Sequence, residues 1–557
     1  MTRVDSDLST SKGQGRLPGG KSRTEIVREA KARYRAKLKR EGKIMVTFPI
    51  SEETNKRIKE EAQSYGKTAT ALMTELLEDV ANRNPLSRFA ADLTSGNDFT
   101  REREKLYQRF TEELVVNPLL TRKLVSFQAS KTTPFYRWLK YKEAFSPELV
   151  DYLYDLVDTG SGYKPHVLDP FAGTGTALTR ACARGWKATG IELLPVGALA
   201  LEARLLSDSV NIKQFFDALN TLKQHDWGKS GATYRFPHLR ITESAFSRET
   251  ETHMASFVRF LNEMKNKTLR FIFHFACLSI LEEVSFTRKD GQYLRWDYRS
   301  GRKLAKRFNK GEIPPFPKAI LDRLEQIGQD LEQRNGRIFS EQANIIKGSC
   351  LFELPKLPSG EFDLVLTSPP YCNRYDYTRT YALELAFCGL GEEDIKDLRQ
   401  TLLSATVENK SKRKKLQSFY AKAEKPNMYH AIESAFNQEG ALHEVLDLLW
   451  EAREKGELSN NNVPHLVKNY FFEMAQVIFE LARLLKPGGR IFMVNDNVRY
   501  HGQEVPVDLI LSAYAEKAGL MVEKIWILPK GKGNSSQQMG KWGRVELRKC
   551  IYSWRKP

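Results

Sequence analysis

Two short stretches carry residue types and spacings suited to chemistry. In the first, His166-Val167-Leu168 is a short apolar strand that runs directly into Asp169-Pro170-Phe171-Ala172-Gly173-Thr174-Gly175-Thr176, with the helix-forming run Ala177 to Arg184 behind it. A second strand, Lys187 to Ile191, ends at Glu192, 192 − 169 = 23 residues after Asp169. The glycines let the backbone approach a ligand closely, and an acid at the end of the neighbouring strand suits a ribose diol. A tight strand-to-helix turn alone would not require that acid. In the second stretch, the apolar strand Phe362 to Leu366 ends in Thr367-Ser368-Pro369-Pro370-Tyr371. Consecutive prolines cannot extend a ladder or enter a helix freely, so they fix a rigid corner. The corner falls at the C-terminal end of a strand, where open α/β sheets bind ligands. A plain proline corner after a core strand would leave the upstream glycine loop unexplained.

The run Asp-Pro-Phe-x-Gly-x-Gly-Thr resembles the cofactor loop of class I S-adenosylmethionine methyltransferases and, among them, of the DNA amino-methyltransferases. The resemblance implies that Asp169, Phe171, Gly173 and Gly175, with Thr176 beside them, line the methionine end of S-adenosylmethionine, and that Glu192 holds its ribose hydroxyls. Upstream, Trp138 to Pro147 resembles the segment that closes over the methionine carboxylate, with Phe145 and Ser146 nearest the ligand. Ile345 to Cys350 resembles the segment contacting the cofactor adenine; Ser349 stands where the family has Asp. Ser368-Pro369-Pro370-Tyr371 looks like the family's catalytic tetrapeptide. Ser in first place resembles the N4-cytosine enzymes, whereas Asp or Asn there is typical of N6-adenine enzymes.

The chemistry agrees with the resemblance. An exocyclic amine conjugated to a ring is a poor nucleophile. Acceptors must draw its lone pair out of conjugation and steady the developing charge. The Ser368 hydroxyl and the Pro369 carbonyl can do this, and Tyr371 offers an aromatic face to a base flipped from the duplex. The expected reaction is methyl transfer to the exocyclic N4 of cytosine in duplex DNA, with N6 of adenine as the alternative and no metal involved. An RNA amino-methyltransferase and a non-catalytic DNA-binding regulator on a methyltransferase scaffold are the competing readings.

The elements that position these stretches divide the 557 residues into several units. Residues 1–42 hold twelve Lys/Arg against five Asp/Glu (12 − 5 = +7) and are expected to be a disordered basic tail. In 43–83, Ile44, Val46, Phe48 and Ile50 alternate along a strand, Ser51 caps a helix ending at Gly66, and Leu72, Leu76, Leu77 and Val80 mark a second helix. This resembles a ribbon-helix-helix module, which implies a homodimer through 43–83 that binds DNA; a plain helical hairpin after a strand is the alternative. Residues 84–125 read as a helical linker. The expected fold is α/β: a Rossmann-like class I methyltransferase sheet built from 126–204 (cofactor half), 346–390 (catalytic loop) and 466–557. A mostly helical insert at 205–345 is the candidate target-recognition region, and 391–465 is a second helical insert. The last strand runs to the end of the sequence, so target reading is expected of an insert.

Charge points the same way. Lys and Arg total 87 against 69 Asp and Glu, a formal +18, which favours a polyanionic partner. Arg288 to Arg307 holds eight Lys/Arg against two Asp (8 − 2 = +6), interleaved with Tyr293, Trp296 and Tyr298. Arg288, Lys289 and Arg295 are its DNA-binding candidates. Arg374 and Arg379 follow the tetrapeptide where a flipped nucleotide's phosphates would pass. Lys410 to Lys415 reads as a solvated loop. The six cysteines show no CxxC spacing and read as reduced thiols. No apolar run is long enough for a membrane span, and no signal-peptide core opens the chain. These features suit a cytoplasmic, nucleoid-associated prokaryotic protein, with a cognate restriction endonuclease as the partner if it serves a restriction-modification system.

Overall fold

The computed structural model describes residues 101–557 except 122, 158–161, 229–233, 291–292, 335–339, 530–531, 534–541 and 544, together with isolated positions between 56 and 69. The basic tail expected at 1–42 lies outside the described residues, as does all but those few positions of the ribbon-helix-helix-like module at 43–83. The chain clusters into two units, 1–89 and 90–557, and the second carries the sheet.

Eight strands form the main sheet: β1 (Leu114–Val116), β2 (His166–Asp169), β3 (Lys187–Glu192), β4 (Ala343–Lys347), β5 (Phe362–Thr367), β6 (Leu485–Asp496), β7 (Met521–Ile527) and β8 (Lys549–Arg555). Their order is β1-β7-β8-β6-β5-β2-β3-β4. Every neighbouring pair is parallel except those of β8, which runs against both β7 and β6. The central strands β2 and β5 are almost wholly buried, which explains their near-continuous apolar runs. From β2 the chain moves outward to β3 and β4, then returns to the other side of β2 as β5. That reversal opens a crevice at the C-terminal ends of β2 and β5, the switch point where doubly wound sheets bind ligands.

Short helices and caps fix the loops around the crevice. Helix Thr176–Ala183 joins β2 to β3, and helix Pro195–Leu206 follows β3 with Pro at its start. The 205–345 stretch is helical, with helices Ile212–Lys223, Arg248–Glu263 and Lys267–Val284 capped by the side chains of Asn211, Ser247 and Asn266. Helix Phe316–Glu332 completes it, and Phe215, Phe257, Phe273, Ile320 and Leu324 fill its core. A hairpin, Thr287–Asp290 paired with Tyr293–Trp296, packs one strand against helix Tyr377–Thr380 just beyond the tetrapeptide. The 391–465 stretch is also helical, from Glu392–Thr401 to Gly440–Glu454.

Two expectations change. The described part of 84–125 is not a helical linker: after helix Arg101–Arg109 it supplies β1, which pairs with Ile525, Trp526 and Ile527 at the sheet edge. Arg103 in that helix is buried and its Nε lies 2.6 Å from Glu444, so this stretch is docked to the second insert. The long helix before β6 spans Val463–Leu484, beginning inside the stretch read as insert.

Candidate active site

The glycine loop takes a shape that side chains would block. Gly173 and Gly175 have φ of +53° and +73°, the left-handed region that favours glycine. A Cβ on Gly175 would lie 2.2 Å from Leu201 Cδ1, and one on Gly197, in the following helix, 2.7 Å from the Gly173 carbonyl oxygen. The backbone is therefore packed on one side and free to meet a ligand on the other.

Two buried carboxylates tie the loop to its strands. Asp169 Oδ1 accepts from the Phe171 amide at 3.1 Å and from Thr367 Oγ1 at 2.7 Å. That second bond joins the C-terminal ends of β2 and β5, so the glycine loop and the tetrapeptide face one another. Glu192 accepts from the Gly173 amide at 2.5 Å and from the Leu194 amide at 2.6 Å. Burial pushes both acids up to about 7; the Thr367 and amide hydrogen bonds pull Asp169 down, and the Leu194 and Gly173 amides pull Glu192 down, without cancelling the effect.

A cavity open to solvent lies between these strand ends. Its wall includes Asp169, Phe171, Gly173, Thr176, Glu192, Phe145 and Ser349 from the cofactor-like half, and Ser368 and Pro370 from the tetrapeptide. Gly175 shapes the loop behind the wall. Glu143 also lines it, with Oε2 accepting from Tyr381 Oη and Oε1 buried without a hydrogen-bond partner. Three carboxylates thus face the cavity, and among the described residues no Lys or Arg lines it. Glu143 escaped sequence reasoning because a single acid ahead of Phe145 carries no motif. Ser146 is a helix cap: its Oγ accepts from the Leu149 amide at 3.1 Å and donates to the Leu124 carbonyl at 2.6 Å. Ser349 lines the cavity while its Oγ donates to the Thr401 carbonyl at 3.0 Å, so the second insert touches this wall.

In the tetrapeptide, Ser368 is half-buried, Pro369 buried and Tyr371 half-buried. Ser368 Oγ donates to Tyr371 Oη at 3.2 Å. Lys549 Nζ lies 5.6 Å from the Tyr371 ring centroid and 3.3 Å from Asp496. Burial raises the Tyr371 hydroxyl's pKa against the lowering effect of the Lys549 charge. Burial works against the Lys549 ammonium, but Asp496 and Tyr371 beside it raise its pKa on balance. Among the described residues, no group of three or more His, Cys, Asp or Glu is placed to hold a metal ion, and no helix is long and apolar enough to cross a membrane.

No family model matches the chain. Individual proteins do. The type II methyltransferase M.AvaI of Nostoc sp. is 44% identical over 477 residues, covering 83% of this chain and 94% of that protein. The type II methyltransferase M.BsoBI of Geobacillus stearothermophilus is 40% identical over 473 residues, covering 82% and 92%. The chain belongs to the type II methyltransferases. A more distant similarity, 21% over 399 residues, links this methyltransferase to the type II methyltransferase M.MvaI of Kocuria varians, covering 69% of this chain and 81% of that protein.

The basic residues of the methyltransferase divide into exposed and engaged. Arg288 and Arg295 are exposed and stand directly opposite each other on the hairpin. Arg295 also lies over the Phe308 ring, 4.1 Å from its centroid, and 3.3 Å from Asp290. Lys289, expected at the DNA surface, is a correction: it is 3% exposed, its ammonium pairs with Glu384, and it sits 4.3 Å from the Tyr381 centroid. Strand alternation turns it inward between two outward residues, Arg288 and Asp290. Arg379 is exposed but paired with Glu408 at 2.8 Å and Asp376 at 3.3 Å. Arg374 is half-buried at φ +68°, and its Nε is buried without a hydrogen-bond partner. The run expected as a solvated loop is partly internal: Lys412 is buried against Glu473 at 2.9 Å, and Arg413 pairs with Glu433 and lies 4.4 Å from the Phe472 centroid.

Proposed function

We propose that this protein transfers a methyl group from S-adenosylmethionine to the exocyclic N4 of cytosine in duplex DNA. The observation that carries the reading is one cavity that joins the glycine loop to Ser368 and is lined by three carboxylates, with no Lys or Arg among its described residues. Such a wall suits a ligand of net positive charge, and acids raised by burial are ones that a cation would relieve. S-adenosylmethionine, when bound, supplies a methyl group on positively charged sulfur. The loop backbone at Gly173 and Gly175 leaves room for the ligand, Asp169, Phe145, Phe171 and Thr176 surround its methionine end, and Glu192 accepts from its ribose hydroxyls. Ser349 reaches the adenine side.

On the catalytic side, Ser368 Oγ and the Pro369 carbonyl accept hydrogens from the target amine, so its lone pair turns toward the methyl group. Pro370 holds the corner rigid, and the Tyr371 ring offers a face to a flipped base. Serine, which is neutral, supports cytosine over adenine here through the family tendency. In this reading Arg288, Arg295 and Arg374 are the cations that meet phosphates. Arg288 and Arg295 stand opposite each other at a cost that a polyanion would remove. Dimerisation through 43–83 and pairing with a cognate restriction endonuclease belong to the same reading.

The test is transfer of labelled methyl from S-adenosylmethionine to duplex DNA, followed by nucleoside analysis. N4-methylcytosine is expected. N6-methyladenine would overturn the base assignment, and no transfer to any duplex carrying the host's modified sites would overturn the enzymatic reading.

A further inference from the structure

Ser368 differs chemically from the Asp or Asn that can occupy its place. An ionised carboxylate only accepts hydrogen bonds. A serine hydroxyl also carries a hydrogen of its own. If that hydrogen pointed into the cavity, two donors would face each other when a target amine arrived. For Ser368 to serve as an acceptor, its hydrogen must be held elsewhere.

The structure offers one place for it. Ser368 Oγ donates to Tyr371 Oη at 3.2 Å. The two residues are joined by the Pro369-Pro370 corner, whose fixed backbone keeps the two oxygens in register. Tyr371 is not among the residues lining the cofactor cavity, whereas Ser368 and Pro370 are. The ring is flanked by Lys549, whose ammonium lies 5.6 Å from the centroid. Lys549 is held in turn by Asp496 at 3.3 Å, its register partner at the ends of β8 and β6. An ammonium has hydrogens to give and no lone pair, so Lys549 cannot take the Ser368 hydrogen itself.

We infer that the Tyr371 hydroxyl is a positioning group: it takes the Ser368 hydrogen and leaves the Ser368 lone pairs for the target amine, while the Lys549–Asp496 pair holds the phenol in place. The inference rests on the reading of Ser368 as the acceptor for that amine. It assigns the tetrapeptide tyrosine a duty that its ring alone could not perform, and one that a serine requires and an aspartate does not.

The test uses the full-length protein and duplex DNA in steady-state kinetics. Tyr371→Phe keeps the ring and removes only the oxygen. The expected result is a kcat lower by about fivefold to tenfold, the scale of one lost hydrogen bond, with KM for DNA and cofactor unchanged. In a Ser368→Asp background the carboxylate has no hydrogen to be held, so adding Tyr371→Phe is expected to cost nothing further. A Tyr371→Phe enzyme with wild-type kcat would overturn the inference and leave the ring with stacking alone. So would an equal fall in both backgrounds. If the wild-type protein failed to methylate cytosine, the parent reading would be at fault; if it methylated and Tyr371→Phe did so at the same rate, only the positioning role would fall.

Discussion

Affinity for S-adenosylmethionine should climb steeply as pH rises from about 6 to about 8. Asp169 and Glu192 face the same cavity, and burial has pushed each up to about 7. A bound cation favours the ionised form of both. For these acids the sign is fixed: the charged pair is present above about pH 7 and is lost as pH falls through it. Treated as two independent groups, both are ionised in roughly 1% of molecules at pH 6 and about 80% at pH 8, so the association constant rises about 100-fold. Asp169→Asn leaves one titrating acid and should reduce that span to about 10-fold. The demethylated product has a neutral sulfur, so its affinity should rise less, which separates the sulfonium effect from the amine common to both ligands. Isothermal titration calorimetry in buffers of different ionisation heat would give both Kd and the protons released. Without ligand, the same raised values oppose folding: stability is full below the unfolded carboxylate range and is lost as pH rises through about 7. A cofactor Kd that stays flat over this range, or proton uptake on binding, would refute the electrostatic argument.

Three further outcomes follow from the geometry. Ser368→Ala should lower kcat by about 100-fold to 1000-fold while cofactor Kd, read by calorimetry, stays at the wild-type value. Gly175→Ala combines left-handed strain with the Leu201 contact and should destabilise the unit by about 2–5 kcal/mol in chemical denaturation. Arg288→Ala with Arg295→Ala should weaken DNA binding and make the salt slope shallower by about two, whereas Lys289→Met should alter stability and leave that slope unchanged.

The parts of the site that are legible in the sequence are the ones that local physics dictates. A loop needing left-handed backbone calls for glycine, and a rigid strand exit calls for proline, so Asp169 to Thr176 and Thr367 to Tyr371 stand out by residue type alone. Glu192 is legible because the distance from one strand end to the next is short and regular. What stays hidden depends on partners distant along the chain. β1 is three residues long, too short for a period, and it pairs with β7 some 410 residues later. Glu143 and Lys549 gain their meaning from Tyr381 and from Asp496, which no local pattern brings together. Lys289 is misjudged when charge is counted without phase: the alternation Arg288, Lys289, Asp290 already places it on the opposite face from its neighbours.

Leu402 and Leu403, at the end of the first helix of the 391–465 stretch, form part of the wall of the cavity between the strand ends. Farther along, Tyr420 donates to Glu480 at 2.7 Å, on the long helix that leads into β6. This region is therefore masonry of that chamber and not an appendage bolted on outside it. Trading it for the equivalent region of another methyltransferase would breach the chamber unless the replacement brought its own stopper for that side.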